Sequence, residues 1–405
     1  MLRLTLALIG ALRLAGGDFA QRGFLDWRLL AYPQAAPNDR GRAVAAALLR
    51  YEASYKLSAT WRLTGGVDAR TDTHHEVERR WALGWQDRER QRPAFSVRRL
   101  SATYSRPEVT LELGKQFIRW GKADILNPTD RFAPRDFLAV VDNEFLAVTA
   151  ARLALGEHAH SLELVWVPRF TPSRIPLINQ RWAPLPAGVE IREVQPRFPG
   201  GSQFGARWNH VGAGMEYSLS FYQGYHHLPL FETRLLSLQP AVVVQAERFY
   251  PRLRMYGADA AVPLKWVTLK GEAAWLGSSD PGADQYALYV LQLERQTGEW
   301  TLVGGYAGQA AGRTRGSLGF APDRGLARAF LGRAAYTLDA NRSLAVAAAL
   351  RQNGRGLWVN LEYSHSLGSH WRATAAFTLI RGSPEDFLGQ YRRNSHAGLN
   401  LRYSF

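Results

Sequence analysis

The chain carries 405 residues, with 50 Lys and Arg against 35 Asp and Glu for a net charge of +15, and 13 Trp, 16 Tyr and 18 Phe with no cysteine. The missing cysteines exclude disulfides, thiolate metal sites and cysteine nucleophiles, while a basic surplus dispersed as single arginines speaks against nucleic acid as a partner. Past Leu14 no apolar run reaches the roughly 18 to 20 residues of a membrane-crossing helix, so a membrane would be crossed only by strands, which hide their apolar half by alternation.

In chain order, residues 1–20 read as a secretory signal: Arg3 precedes a short apolar stretch, and a break falls near Ala20. Residues 21–405 read as one all-β domain, a transmembrane up-and-down antiparallel barrel. From Gly23 onward the chain falls into stretches of about ten residues with period-two alternation. In 214–222, Met215, Tyr217, Leu219 and Phe221 stand against Glu216, Ser218, Ser220 and Tyr222. In 267–276, Val267, Leu269, Ala273 and Trp275 stand against Thr268, Lys270 and Glu272, and in 357–364 Leu357, Val359, Leu361 and Tyr363 stand against Asn360, Glu362 and Ser364. The final stretch puts Ala397, Leu399, Leu401, Tyr403 and Phe405 on one face and Asn400, Arg402 and Ser404 on the other. A strand with lipid on one side and water on the other needs this mixture of continuous apolar residues and arginine.

Tight turns are readable at 56–59, 106–108, 156–159, 211–214, 263–266, 297–299, 339–342 and 368–370. Between them lie longer polar connections at 33–39, 71–93, 121–144, 169–201, 224–240, 308–325 and 382–394, with shorter ones centred on Asp280 and Gly354. With both termini on the side of the tight turns, this pattern gives about eighteen strands, sixteen being the neighbouring solution. Tyr55, Trp61, Tyr104, Tyr217, Trp266, Trp300, Tyr336 and Trp371 flank those turns, as a membrane-interface girdle requires.

The final strand with its terminal Tyr403 and Phe405 resembles the assembly signal of Gram-negative outer-membrane barrels. The stretch Leu113-Gly114-Lys115-Gln116-Phe117-Ile118-Arg119-Trp120-Gly121-Lys122, with Asn127-Pro128-Thr129-Asp130 after it, is similar to a strand and loop of porin-like families of unknown substrate. It also resembles a segment of alginate-export-type barrels. The resemblance implies an integral outer-membrane protein whose C-terminal strand engages the barrel-assembly machinery, among outer-membrane lipid and lipopolysaccharide, with a loop folding into the lumen.

On the face opposite the apolar one fall Arg50, Arg62, Arg70, Arg99, Arg152, Arg207, Arg252, Arg254, Arg333, Arg351 and Arg372, set against Glu112, Glu163, Glu216 and Glu272. Arg28, Arg402, Lys270, Asp26, Glu52, Asp68, Glu294 and Glu362 share that face. A basic excess in a narrow pore favours anions, unless the charges pair across strands and cancel. The segment after the fifth strand carries Lys122, Asp124, Asp130, Arg131, Arg135 and Asp136 among the apolar Phe132, Phe137 and Leu138, and Pro128 and Pro134 restrict its backbone. It is expected to fold inward and form the constriction.

The function expected is diffusion of small polar or anionic solutes, without catalysis and without a cofactor. An exporter of an acidic polysaccharide and a structural or adhesive barrel fit the same features. A membrane-embedded hydrolase would have to use Ser395-His396 or Ser364-His365-Ser366, but neighbours on a strand point to opposite faces. His74-His75, His226-His227 and His158 with His160 lack the carboxylates and spacing of a metal site, and phosphate-loop and dinucleotide motifs are absent.

Overall fold

The computed structural model describes residues 18–405 apart from 125, 158, 185–187 and 316–318. Among the described residues, 18 antiparallel strands form a closed barrel. They are β1 (Asp18–Ala31), β2 (Ala43–Lys56), β3 (Trp61–Asp72), β4 (Phe95–Arg106), β5 (Val109–Gln116), β6 (Val148–Glu157), β7 (His160–Val167), β8 (Gln203–Val211) and β9 (Glu216–Tyr225). The second half comprises β10 (Arg252–Pro263), β11 (Thr268–Gly277), β12 (Gln285–Thr297), β13 (Trp300–Arg313), β14 (Ala329–Thr337), β15 (Arg342–Arg351), β16 (Gly356–Leu367), β17 (Trp371–Gly382) and β18 (His396–Ser404). Each strand pairs with its neighbour in sequence, and the ring closes where β18 meets β1, from Phe24 opposite Ser404 to Ala31 opposite Ala397. Gly23 and Phe405 exchange backbone hydrogen bonds of 2.9 Å just past that seam, so the last residue is part of the closure.

Alternation decides which face meets what. On the outward face Leu219, Leu291 and Leu399 are 55, 58 and 60 % exposed, whereas the inward Tyr222, Met255, Leu276 and Leu288 are wholly buried. Such a belt is stable only in hydrocarbon, so the barrel is an integral membrane protein that crosses with strands. Aromatic pairs mark its lower edge: Trp61 with Tyr104, Trp300 with Tyr336, and Trp371 with Tyr403, at centroid distances of 5.2, 4.7 and 5.0 Å. Phe221 with Tyr256 and Tyr306 with Phe330, at 5.4 and 5.2 Å, mark the upper edge. Leu399 lies well above the lower pairs, so Leu399→Arg is expected to destabilise insertion by roughly 2 to 4 kcal/mol, and Leu401→Arg, one step above Tyr403, by less. Urea-dependent folding into vesicles measures both, and equal stability of Leu399→Arg and wild type would contradict the lipid-facing assignment.

The tight turns lie where the sequence places them, at the end that also holds the start of β1 and the end of β18. The turn before β15 is built by one carboxylate: Asp339 Oδ1 accepts from the N–H groups of Asn341 and Arg342 at 2.8 and 2.9 Å. At the other end are the long loops L1 (32–42), L2 (73–94), L3 (117–147), L4 (168–202), L5 (226–251), L6 (278–284), L7 (314–328), L8 (352–355) and L9 (383–395).

Three boundaries differ from the sequence reading. Asp18 to Ala20, expected within the signal, pair with Ser54 to Lys56 in the wall; the remainder of that segment lies outside the described residues. β13 runs on to Arg313, beyond 308, because Gln285 to Tyr289 of β12 supply partners for it. The connection after β9 holds its own hairpin, Leu230–Ser237 with Val242–Phe249, and Val189–Glu193 of L4 adds to it in parallel. Rich in β-branched and large apolar residues, these segments satisfy their backbone groups with one another above the membrane.

Candidate functional site

L3 leaves the top of β5 and enters the barrel. Its first half is held by carboxylates that alternation points inward. Glu272 on β11 accepts from the backbone N–H groups of Lys122, Ala123 and Thr129 at 3.1, 3.2 and 2.8 Å and from Thr129 Oγ1 at 2.8 Å. Glu163 on β7 accepts from Trp120 Nε1 at 2.5 Å. Phe132 stands edge-on to both Trp120 and Tyr222, with centroids 5.0 Å apart in each pair. The wall lacks a side chain where these rings seat. A Cβ on Gly205 of β8 would lie 2.6 Å from Phe132 and from Trp120, and one on Gly257 of β10 would lie 2.6 Å from Thr129. Phe137 and Leu138 are buried further along, Phe137 against Phe320 of L7 at 5.6 Å.

The second half of L3 crosses to the opposite wall. Asp142 pairs with Arg28 of β1. Glu144 meets Arg70, Arg50 and Arg98 at 2.8, 3.4 and 3.5 Å, and Asp68 sits beneath them with Arg50 and Arg70 at 2.7 and 2.9 Å. Burial alone would raise the Glu144 carboxyl, but Arg70 and then Arg50 outweigh it and hold it down to about 2. What remains open is a cavity of about 600 Å³ between this segment of L3 and β16, β17, β18, β1, β2 and β3. Arg28, Arg50, Arg70, Arg372 and Arg402 line it.

Most of the candidate residues read from the sequence project inward, but many of the arginines already have partners. Arg99 binds Glu112 at 2.7 Å, Arg152 binds Glu163 at 2.5 Å, Arg207 binds Asp259 at 2.9 Å, and Arg351 binds Asp386 of L9 at 3.1 Å. Arg62, Arg333 and Arg372 also lie on inward positions and have no carboxylate partner among the described residues. On L3, Lys122 pairs with Glu216 at 3.0 Å, Asp124 with Lys270 at 2.9 Å and Arg131 with Asp323 of L7 at 3.4 Å. Asp130 accepts from the Trp120 N–H at 3.2 Å, and Arg135 lies over the Phe145 ring at 4.3 Å. Asp136 is buried between Arg92 and Arg174.

Arg252 and Arg254 are the correction. They share the face of Tyr256, which is 57 % exposed, while Leu253, Met255 and Asp259 point inward. The phase of β10 is misread from sequence because L3 seats on its inner face, so apolar Leu253 and Met255 stand where a water-filled pore would have polar residues. Reversing the phase brings in Asp259, which the sequence reading missed. Arg98 was missed for another reason: a register irregularity at Gly66 and Val67 lets both Arg98 and Arg99 reach inward charges. Of the serine and histidine neighbours, Ser364 bonds inward to Thr374 at 3.0 Å while His365 packs near Tyr363, and Ser395 is spent on the backbone N–H of Ile380 at 2.9 Å. His158 lies outside the described residues.

No protein-family model matches the sequence, and no curated protein does. Among solved structures, the chain is similar to a BenF-like porin from Pseudomonas fluorescens Pf-5, with 8% identity, 96% of this chain and 98% of that one covered, and a TM-score of 0.56. OccAB3 of Acinetobacter baumannii gives 11% identity, 96% and 99% coverage and a TM-score of 0.55, and OpdQ of Pseudomonas aeruginosa gives 8%, 96% and 98%, and 0.54. At such identities the likeness is one of fold, that of an outer-membrane β-barrel.

Proposed function

We propose that this barrel is a diffusion channel for small solutes and that it prefers anionic ones. The observation that carries the reading is the lining of the opening, seven arginines (Arg28, Arg50, Arg70, Arg92, Arg181, Arg372 and Arg402) against six carboxylates (Asp26, Asp72, Glu76, Asp142, Glu144 and Glu362), with Asp142 and Glu144 of L3 facing Arg28, Arg50 and Arg70 and with Arg372 free of a carboxylate partner among the described residues. Opposed rows of charge across a narrow, low-dielectric passage set up a transverse field, and a solute crosses by exchanging water for guanidinium contacts. Below the constriction Arg22, Lys56, Arg62 and Arg99 line the lumen with Glu52 as the acidic residue among them, so the exit also favours anions. The similar structures include a BenF-like porin and the proteins OccAB3 and OpdQ, which supports a solute channel. An acidic polysaccharide would meet the same arginines, with L3 lying across its path.

Reversal potentials in asymmetric potassium chloride test this. The wild-type channel is expected to prefer chloride, and Arg62→Glu and Arg372→Glu are each expected to weaken that preference without impairing assembly, since neither side chain has a carboxylate partner to lose among the described residues. A wild-type channel that prefers potassium, or selectivity untouched by both substitutions, would sink the proposal.

A further inference from the structure

Much of the positive surplus stands outside the pore. Along the wall most inward arginines are neutralised by carboxylates, whereas a set of outer arginines is not. Arg254 lies two residues above Tyr256 on β10 and on the same outward face, and Arg328 lies two residues above the outward Phe330 of β14. Two residues of strand span about 6 to 7 Å, which puts the Arg254 guanidinium just above the upper aromatic edge, at the depth of lipid headgroups; Arg328 stands exposed immediately before the first residue of β14. Arg381 ends the outward row of β17 above Phe377, and Arg355 tops β16. Hydrogen bonds from Gln352 N–H to the Arg328 carbonyl at 2.8 Å and from Ser383 N–H to the Arg355 carbonyl at 2.9 Å join Arg328, Arg355 and Arg381 along the tops of β14 to β17, with Arg254 four strands away round the rim on β10. All four arginines are exposed, and none has a carboxylate partner among the described residues.

We infer that Arg254, Arg328, Arg355 and Arg381 form a collar that binds the phosphate groups of outer-leaflet lipid. The fork of a guanidinium matches two phosphate oxygens at once, and an arginine held at headgroup depth with no internal partner meets that ligand without first breaking an ion pair. The aromatic belt directly below receives the acyl chains, so one lipid is held at both its polar and its apolar part. The inference rests on placement in the outer membrane and not on which solute the channel carries.

The probe is bis-phosphorylated lipid A, measured by native mass spectrometry on the full chain released from phosphatidylcholine nanodiscs. Wild type is expected to retain it, and to retain its dephosphorylated form at least about tenfold less, the effect of losing one charge-assisted contact. Arg254→Gln, Arg328→Gln, Arg355→Gln and Arg381→Gln combined are expected to abolish that difference while heat-modifiable migration and conductance stay at wild-type values. Equal retention of both lipid forms by the wild type would overturn the inference whether or not the variant folds. So would undiminished retention by a folded variant, or binding of inorganic phosphate as tight as that of the lipid.

Discussion

Glu272→Ala is expected to detach the inward loop and raise the single-channel conductance. Four donors, three of them backbone N–H groups of L3, converge on this one carboxylate, and Glu272 is buried where water reaches it poorly. Each donor left without an acceptor costs about 1 to 3 kcal/mol, and those to a charged group lie at the upper end, so the bound position of L3 loses most of its advantage over a mobile one. The apolar seat of Trp120 and Phe132 remains, which argues for a loop that fluctuates rather than one that leaves the lumen. The channel should therefore show larger and noisier openings in planar bilayers, together with protease cleavage in 122–130. Glu272→Gln keeps one acceptor oxygen and is expected to fall between the two. Conductance equal to wild type in the alanine variant would mean that the rings alone hold the loop.

How far the sequence speaks depends on which face of a strand is asked about. The outward face is set by one solvent, hydrocarbon, and its rule is simple: Leu399, Leu401 and Trp275 could be assigned without a structure because nothing but an apolar side chain is stable there. Turn positions were equally legible, since polar, glycine-rich gaps separate the alternating runs. The inward face has two kinds of neighbour, water and L3, and alternation does not say which. Where L3 seats, the wall is apolar or bare, as at Met255, Gly205 and Gly257, and the phase of β10 reads backwards. Charge counting had the same blind spot. Arg99, Arg152 and Arg207 lie on inward faces, yet whether they are free depends on Glu112, Glu163 and Asp259 one or two strands away, and sequence reveals no cross-strand register. Inward folding of the segment after β5 was readable from its mixture of Phe132 and Phe137 with charges. That it crosses the lumen to deliver Asp142 and Glu144 to the arginines of β1, β2 and β3 was not, because those contacts span 74 to 114 residues of chain.

Asp136→Asn is expected to loosen the roof of the barrel. Asp136 is 3 % exposed and accepts from Arg92 Nε and Nη2, both at 2.9 Å, and from Arg174 Nη1 at 3.1 Å. The chain of charges continues on both sides, from Arg92 to Glu76 at 2.7 Å, and from Arg174 to Asp87 and on to Lys115 at 2.7 and 2.6 Å. One buried row thereby ties L2, L3 and L4 to β5. Removing the central charge leaves Arg92 and Arg174 facing each other with only Glu76 and Asp87 on their far sides, and breaking a buried pair costs about 3 to 5 kcal/mol. The effect should be local, because the wall strands keep their own hydrogen bonds: protease sensitivity of L2 and L4 rises while the melting of the barrel changes little. Acid should mimic the substitution. Burial would raise the Asp136 carboxyl, but Arg92 and then Arg174 prevail and hold it far below the ordinary carboxylate value. A group depressed in the folded state stabilises it fully above its unfolded pKa, about 4, and gives that contribution up only as the pH falls through the folded value. Wild-type loops should stay protected at pH 4 and open well below it, whereas the Asn variant should be open at neutral pH. Because two facing cations are the cause, Arg174→Met added to Asp136→Asn should restore part of the protection, and a double variant no better protected than the single one would contradict this origin of the defect.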